Sequence, residues 1–240
     1  MTDTADATSD IDYIGEELEL FELAVNWKNY VAGRIAPFVN GRVLEVGAGF
    51  GANVGYYFRD ELDRWLSLEP DGRLLSEYRR RQQQGRIPDL CEIRQSTTSD
   101  LPGETFDTIM YIDVLEHIED DRAEFERAFS LLEVGGHLIV LCPAHQFLYS
   151  PFDQAIGHFR RYNKRMYKAL SDQSPVRLEY LDSVGLLASL ANRMLLKQSY
   201  PTAAQIRTWD GVFVRASRLV DPLILRLAGK SVLGIWRRSE

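Results

Sequence analysis

Cysteine is scarce in this chain: Cys91 and Cys142 are the only two in 240 residues, and they form no Cys-x-x-Cys pair. That excludes a disulfide framework and a cysteine-rich structural zinc site, and leaves two buried free thiols as the expected state. A basic excess is also missing. Lys and Arg total 28 against 35 Asp and Glu, a net charge of -7, with a pI near 5.2. Sequence-independent nucleic-acid binding needs a basic face, so no nucleic-acid partner is expected. No uncharged stretch approaches the roughly 18 residues that cross a bilayer. Residues 1–12 lack the apolar centre of a signal peptide; they are polar, acidic and rich in Asp and Thr, and read as disordered. A cytoplasmic protein is the expectation. There is no internal repeat and no low-complexity tract.

Residues 13–240 read as one domain, long enough for a single α/β core with an insertion. Leu18, Phe21, Ala24, Val25, Val31 and Ile35 recur at mostly helical spacing from Glu17 to Phe38, until Pro37, Asn40 and Gly41 stop the helix. Val43–Val46 is a short apolar run ending in glycines, which reads as a buried parallel strand. Further strands are predicted over Trp65–Leu68, Cys91–Gln95, Thr108–Ile112 and His137–Leu141, with helices over 52–62, 71–84 and 120–132. This alternation predicts a parallel sheet with helices on both faces and right-handed crossovers. After Leu141 the rhythm breaks. Val176–Leu181 and Ser231–Trp236 are two more candidate strands, separated by more residues than an ordinary connection needs. Within that stretch the Asp221-Pro222 step should kink or restart a helix.

The first strand runs into Glu45-Val46-Gly47-Ala48-Gly49-Phe50-Gly51. Glycines there let backbone approach a ligand at the carboxyl edge of the sheet. Gly47, Gly49 and Ala52 fit the loose dinucleotide fingerprint, and Glu69 stands at the end of the second strand, where an acid takes ribose hydroxyls. Neither feature separates a nicotinamide cofactor from S-adenosylmethionine (SAM). Three others do. The Glu45 carboxylate would oppose phosphates but suits an ammonium. The fourth strand ends in Asp113-Val114-Leu115-Glu116-His117, and Gly135-Gly136 turns into the fifth.

Together these stretches, in this order and spacing, resemble the class I SAM-dependent methyltransferases over about Val43–Leu141. The resemblance implies an α/β, Rossmann-like sheet of order 3-2-1-4-5-7-6 with strand 7 antiparallel and helices on both faces. A helical cap, 183–230, would be inserted between strands 6 and 7. It implies SAM as cofactor, with Gly47, Ala48 and Gly49 under the methionine part, Glu69 on the ribose and Pro70 on the adenine. Ser96 or Thr97 would sit at the adenine edge, although many family members carry Asp where Ser96 stands. Asp113 and Val114 would line the methionine end, and Glu45, Asn53 and His117 complete the expected cofactor set.

The segment Pro143–Tyr162 follows the fifth strand, so it belongs at the same edge as the cofactor. His158 and His145 are candidate bases for a hydroxyl acceptor, with Asp153 beside them. Arg160 and Arg161 could hold an anionic group by bidentate bonds, with Tyr149 and Tyr162 nearby. The alternative is that Asp153 pairs with an arginine to brace the loop and His158 caps a helix. The Gly-His-x-Arg-Arg-Tyr pattern resembles a subgroup acting on small-molecule and glycan- or lipid-linked acceptors. No spacing matches a defined metal motif, so none is assigned; a metal-assisted variant would use Asp153 and a histidine. Over 212–230, apolar residues alternate with Arg215, Arg218, Arg226 and Lys230, after Arg207. They form either a cap over strands 6 and 7 or a basic-rimmed surface for a lipid or membrane. The expected activity is methylation of a hydroxyl or carboxyl of a small or carrier-linked metabolite. N-methylation and a non-catalytic SAM-binding partner subunit stand beside it, and oligomeric state is left open.

Overall fold

In the computed structural model, residues 18–191, 193 and 201–239 are described; the expected disordered segment, 1–12, lies outside them. Seven strands form one sheet: β1 (Arg42–Val46), β2 (Arg64–Leu68), β3 (Cys91–Arg94), β4 (Phe106–Ile112), β5 (Leu132–Pro143), β6 (Arg177–Leu181) and β7 (Ser231–Arg237). Their order is β3-β2-β1-β4-β5-β7-β6. All neighbours are parallel except β7, which is antiparallel to both β5 and β6. Leu138 and Val140 pack into one apolar cluster while Ile139 and Leu141 pack into another. That is the two-residue period of a strand covered on both faces, and it explains why the central strands read as unbroken apolar runs. No described helix is long and apolar enough to cross a membrane.

Several boundaries differ from the sequence reading. The first predicted helix breaks at Leu23-Ala24 and restarts as Val25–Ile35. Its first amides, Asn26 N and Trp27 N, are capped by the distant Asp210 carboxylate at 3.0 and 2.8 Å. The helix predicted over 52–62 is only Val54–Tyr57, because the chain becomes extended at Phe58, whose ring packs edge-on against Trp65. Gly135-Gly136 lies within β5 rather than ahead of it. A Cβ on Gly136 would sit 2.9 Å from the Asp107 carbonyl oxygen, so the glycine serves close strand approach.

Among the described residues, the cap comprises helices Ser183–Ala191 and Ala203–Thr208, a π-helical turn Trp209–Val214, and helix Arg215–Leu223. Pro222 lies inside that helix, which does not restart there but ends one residue later. The neighbouring Asp221 is fully buried and accepts from Asp182 N, Ser183 N and the Tyr30 hydroxyl. Asp182 in turn accepts from Ser217 Oγ and from Trp209 Nε1 at 2.7 Å. Three buried aspartates, 182, 210 and 221, thus pin the cap by satisfying donors from distant segments.

Candidate active site

A cavity of about 1690 Å³ opens at the carboxyl edge of the parallel strands. Single-ligand pockets are usually roughly 300–1,000 Å³, so this one has room for a cofactor and an acceptor together. Its floor is the turn after β1. Gly47 and Gly49 take φ values of 66° and 56°, a region that favours glycine. A Cβ on Gly47 would stand 2.7 Å from a Val114 methyl; the glycine turn and the stretch after β4 are in contact, and the closeness requires glycine. Gly47, Ala48, Gly49, Asn53, Glu69, Pro70, Ser96, Thr97, Asp113, Val114 and His117 all line this space.

Glu69 is nearly buried, and its two oxygens accept from Gly49 N at 2.8 Å and Asp71 N at 2.9 Å. It therefore ties the glycine turn to the end of β2, and burial pushes its carboxyl up. Ser96 Oγ is buried, with no hydrogen-bond partner among the described residues. Asp113 adopts φ 55°, a strained conformation for a non-glycine residue and one that clusters at functional sites. Asp113 is exposed to the open cavity, and the protein walls around it raise its carboxyl to about 7 against the pull of Lys230 and Lys28.

Glu45 is a correction. It does not line the cavity: its carboxyl lies beneath the turn, bonded to Ser67 Oγ at 3.0 Å. Burial pushes it up to about 7, opposed by hydrogen bonds from Ser67 and Asn53. Glu45 is 1% exposed, and the β2 hydroxyl of Ser67 holds its carboxyl within the sheet layer rather than at the cavity surface.

The segment after β5 divides sharply. His158 and Asp153 are buried against the cavity wall. His158 Nδ1 lies 3.0 Å from Asp153 Oδ1, and Arg161 grips both Asp153 oxygens at 2.7 and 2.9 Å. Burial alone would raise the Asp153 carboxyl; the bonds from His158 and Arg161 win and hold it well below the usual range. Asp153 also closes a capping box with Ser150. Tyr149 lines the cavity and donates to the His158 carbonyl at 2.5 Å.

The other expected residues of this segment stand outside the cavity. His145 is held by Gly229 O at 3.0 Å between the rings of Phe147 and Tyr180. Arg160 pairs with Asp121 at 2.7 Å and bonds the Glu119 carbonyl. Tyr162 is fully buried, its hydroxyl on Asp121 at 2.6 Å. Arg161 does line the cavity, but as the partner of Asp153. Bracing thus describes both arginines.

Sequence reasoning missed three residues. Lys28 and Lys230 bring ammonium groups to the cavity, both lowered by burial, the latter over the Trp209 ring at 4.7 Å. Lys230 had been grouped with the outer basic rim. The available signal was topological: β7 is antiparallel, so the residue before Ser231 must sit at the carboxyl edge of β5, and Ala144 N indeed bonds Lys230 O. Glu116, fully buried, joins His117 and His158 on the cavity wall. Burial and the neighbouring His158 depress His117 to about 4, so its imidazole is neutral at pH 7.

With this geometry in view, a sequence family described as a methyltransferase domain matches residues 44–138, the span from β1 into β5. Residues 44–138 thus match a methyltransferase domain, and the sheet that contains them has the Rossmann-like fold of SAM-dependent methyltransferases. No curated protein matches the methyltransferase in sequence. Its fold is shared by a SAM-dependent methyltransferase from Clostridium acetobutylicum, at 11% identity and TM-score 0.57 over 90% of this chain and 92% of that one. The N-methyltransferase NodS from Bradyrhizobium japonicum, solved with S-adenosylhomocysteine, superposes with TM-score 0.54 at 16% identity, covering 88% and 86%. The [4+2]-cyclase SpnF superposes with TM-score 0.60 at 13% identity, covering 88% and 80%. SAM is the cofactor of such a domain. The residues fit it: a glycine cradle that a Cβ would fill, an orphaned Ser96 hydroxyl, and acids at Glu69 and Asp113 on the cavity wall, which suit a cationic ligand.

Proposed function

We propose that this methyltransferase acts on a hydroxyl or carboxyl oxygen of a small or carrier-linked acceptor. The observation that carries the reading is the Asp153–His158 pair on the cavity wall. An ionised Asp153 takes the Nδ1 hydrogen and leaves the Nε2 lone pair available, which is how a base is oriented for a hydroxyl proton. SAM supplies an activated methyl group; the chain aligns the acceptor and, with no ion bound, takes its proton at His158 Nε2. An anionic group on the acceptor would meet Lys28 or Lys230, because Arg160 and Arg161 are committed elsewhere. An amine acceptor would need no such base, so this apparatus favours oxygen. Incubation with methyl-labelled SAM and a metabolite extract, followed by mass spectrometry of the labelled products, tests the proposal. Label on oxygen is expected. Label on nitrogen would move the enzyme to N-methylation, and SAM binding without turnover would make it a partner subunit.

A second reading concerns the cap's outer face. Leu219, Leu223, Leu225 and Leu227 are 68–82% exposed, and Arg207, Arg215 and Arg218 are exposed on the same cap. Apolar side chains beside cations suit an anionic lipid surface, which would bring a lipid-linked acceptor to the cavity. Co-sedimentation with vesicles containing anionic lipid is expected, and should fall when Leu219 and Leu223 are changed to Ser. Equal sedimentation with neutral vesicles would sink this reading.

A further inference from the structure

Two segments distant in sequence bring three lone-pair donors to one wall of the cavity. Glu116 and His117 come from the turn after β4, and His158 from the loop after β5. One donor atom of each lies within 4.8 Å of the other two, and His158 Nε2 is 3.9 Å from Glu116 Oε1. Ligands around a four-coordinate ion with bonds of 2.0–2.2 Å are about 3.4 Å apart. Side-chain adjustments of about an ångström close this set on a single ion.

We propose that Glu116, His117 and His158 bind one divalent first-row transition ion, of the zinc, cobalt or manganese class, with open positions facing the cavity. The outer contacts are those of metal-ligating histidines, whose second nitrogen donates to a carboxylate or a backbone carbonyl. His158 Nδ1 is held by Asp153 at 3.0 Å. The His117 ring lies beside the Ile156 and Gly157 backbone, which favours its protonated form, with its Nδ1 side turned to Gly157. In His158 this leaves Nε2 as the ligand atom, 3.9 Å from Glu116 Oε1. The two segments are also fixed to one another: Phe159 N donates to Glu116 O at 2.8 Å, and His158 N to Asp153 O at 2.8 Å. Two imidazoles with one carboxylate suit a borderline ion rather than magnesium or calcium, which take oxygen ligands. Three protein ligands leave a position for a further ligand, as in His₂Glu zinc sites. Asp153, the acid that spacing alone had suggested as a ligand, is the outer partner.

An ion there would lower the pKa of an acceptor hydroxyl, with His158 a ligand rather than a free base. That use of the ion, though not its binding, rests on the oxygen-methylation reading. The test uses tag-free, chelator-stripped full-length protein titrated with Co²⁺, followed by its visible absorption and by metal analysis. One Co²⁺ per chain is expected, displaced by one equivalent of Zn²⁺. His117→Ala and His158→Ala should each weaken binding by at least about tenfold, and Asp153→Asn by about 10- to 100-fold. Thermal melts report folding of each variant. Failure of the folded wild type to bind either ion stoichiometrically overturns the site, as does binding unchanged in both folded histidine variants. S-adenosylhomocysteine is titrated in the same samples. Its binding without metal binding would remove the ion and leave the methyltransferase; metal binding without methyl transfer to oxygen would do the reverse.

Discussion

Asp153 holds His158 and Arg161 at once, accepting from Nδ1 of the first at 3.0 Å and from the guanidinium of the second at 2.7 and 2.9 Å. The Asp153 side chain is 1% exposed and that of Arg161 11%, so the ion pair is close to buried. Removing one member of such a pair leaves the other uncompensated, at about 3–5 kcal/mol. Asp153→Asn should destabilise by that order in urea unfolding. Adding Arg161→Met should recover part of the loss, because the orphaned charge goes with it. A double variant no better than the single one would show that the pair is not the source.

The two histidines after β5 should separate cleanly. His158→Ala should lower kcat by about 10²–10⁴-fold while SAM affinity stays nearly unchanged. His145→Ala should lower the melting temperature, since His145 braces Gly229 between two aromatic rings outside the cavity. Steady-state kinetics and thermal melts on both variants decide it. A kcat loss confined to His145→Ala would reverse the assignment.

Glu69→Ala should weaken SAM binding by roughly 1.5–3 kcal/mol, the range for a lost hydrogen bond to a charged group. The carboxylate also anchors Gly49 N, so Glu69→Gln, which keeps one acceptor, should lose less. Calorimetry on both variants reads the difference. Wild-type affinity in Glu69→Ala would place the ribose acid elsewhere.

SAM affinity should depend on pH through Asp113. The protein walls around the cavity raise this carboxyl to about 7, so it is largely neutral below pH 6 and ionised above pH 8. A cationic ligand binds the ionised form better. Affinity should therefore rise with pH through 7, tenfold for each unit by which the ligand lowers the Asp113 pKa. Asp113→Asn should flatten the profile and match the wild type at low pH. A wild-type profile flat from pH 6 to 8 would overturn the assignment.

Sequence alone made the sheet legible because its signals are local: short apolar runs, glycines at strand ends, and acids at fixed offsets. That residues from Gly47 to His117 would gather at one edge of the sheet was legible for the same reason. What escaped depends on distant partners. Nothing near Arg160 says that Asp121 will take it, and nothing near Val25 says that Asp210 will cap its helix. Glu45 was misplaced because it was read by charge alone, with no local sign that β2 would bring the Ser67 hydroxyl to its carboxyl. Glu116 and His158 are 42 positions apart, and only the parallel pairing of β4 with β5 brings their loops side by side.

The position of β7 between β5 and β6 constrains the order in which the molecule can be assembled. β6 is made before β7, yet β7 is its only strand neighbour among the described residues. It must wait, with the cap, until Ser231–Arg237 arrives. Until then β5 has a bare edge, its backbone groups open to any other chain, and such non-local closure is intrinsically slow. Lys230, immediately ahead of β7, reaches the cavity only when this closure is complete. Catalytic competence should therefore emerge last during refolding, after most of the sheet's far-ultraviolet signal has returned, and a chain stopped before Ser231 should aggregate rather than survive as a smaller enzyme.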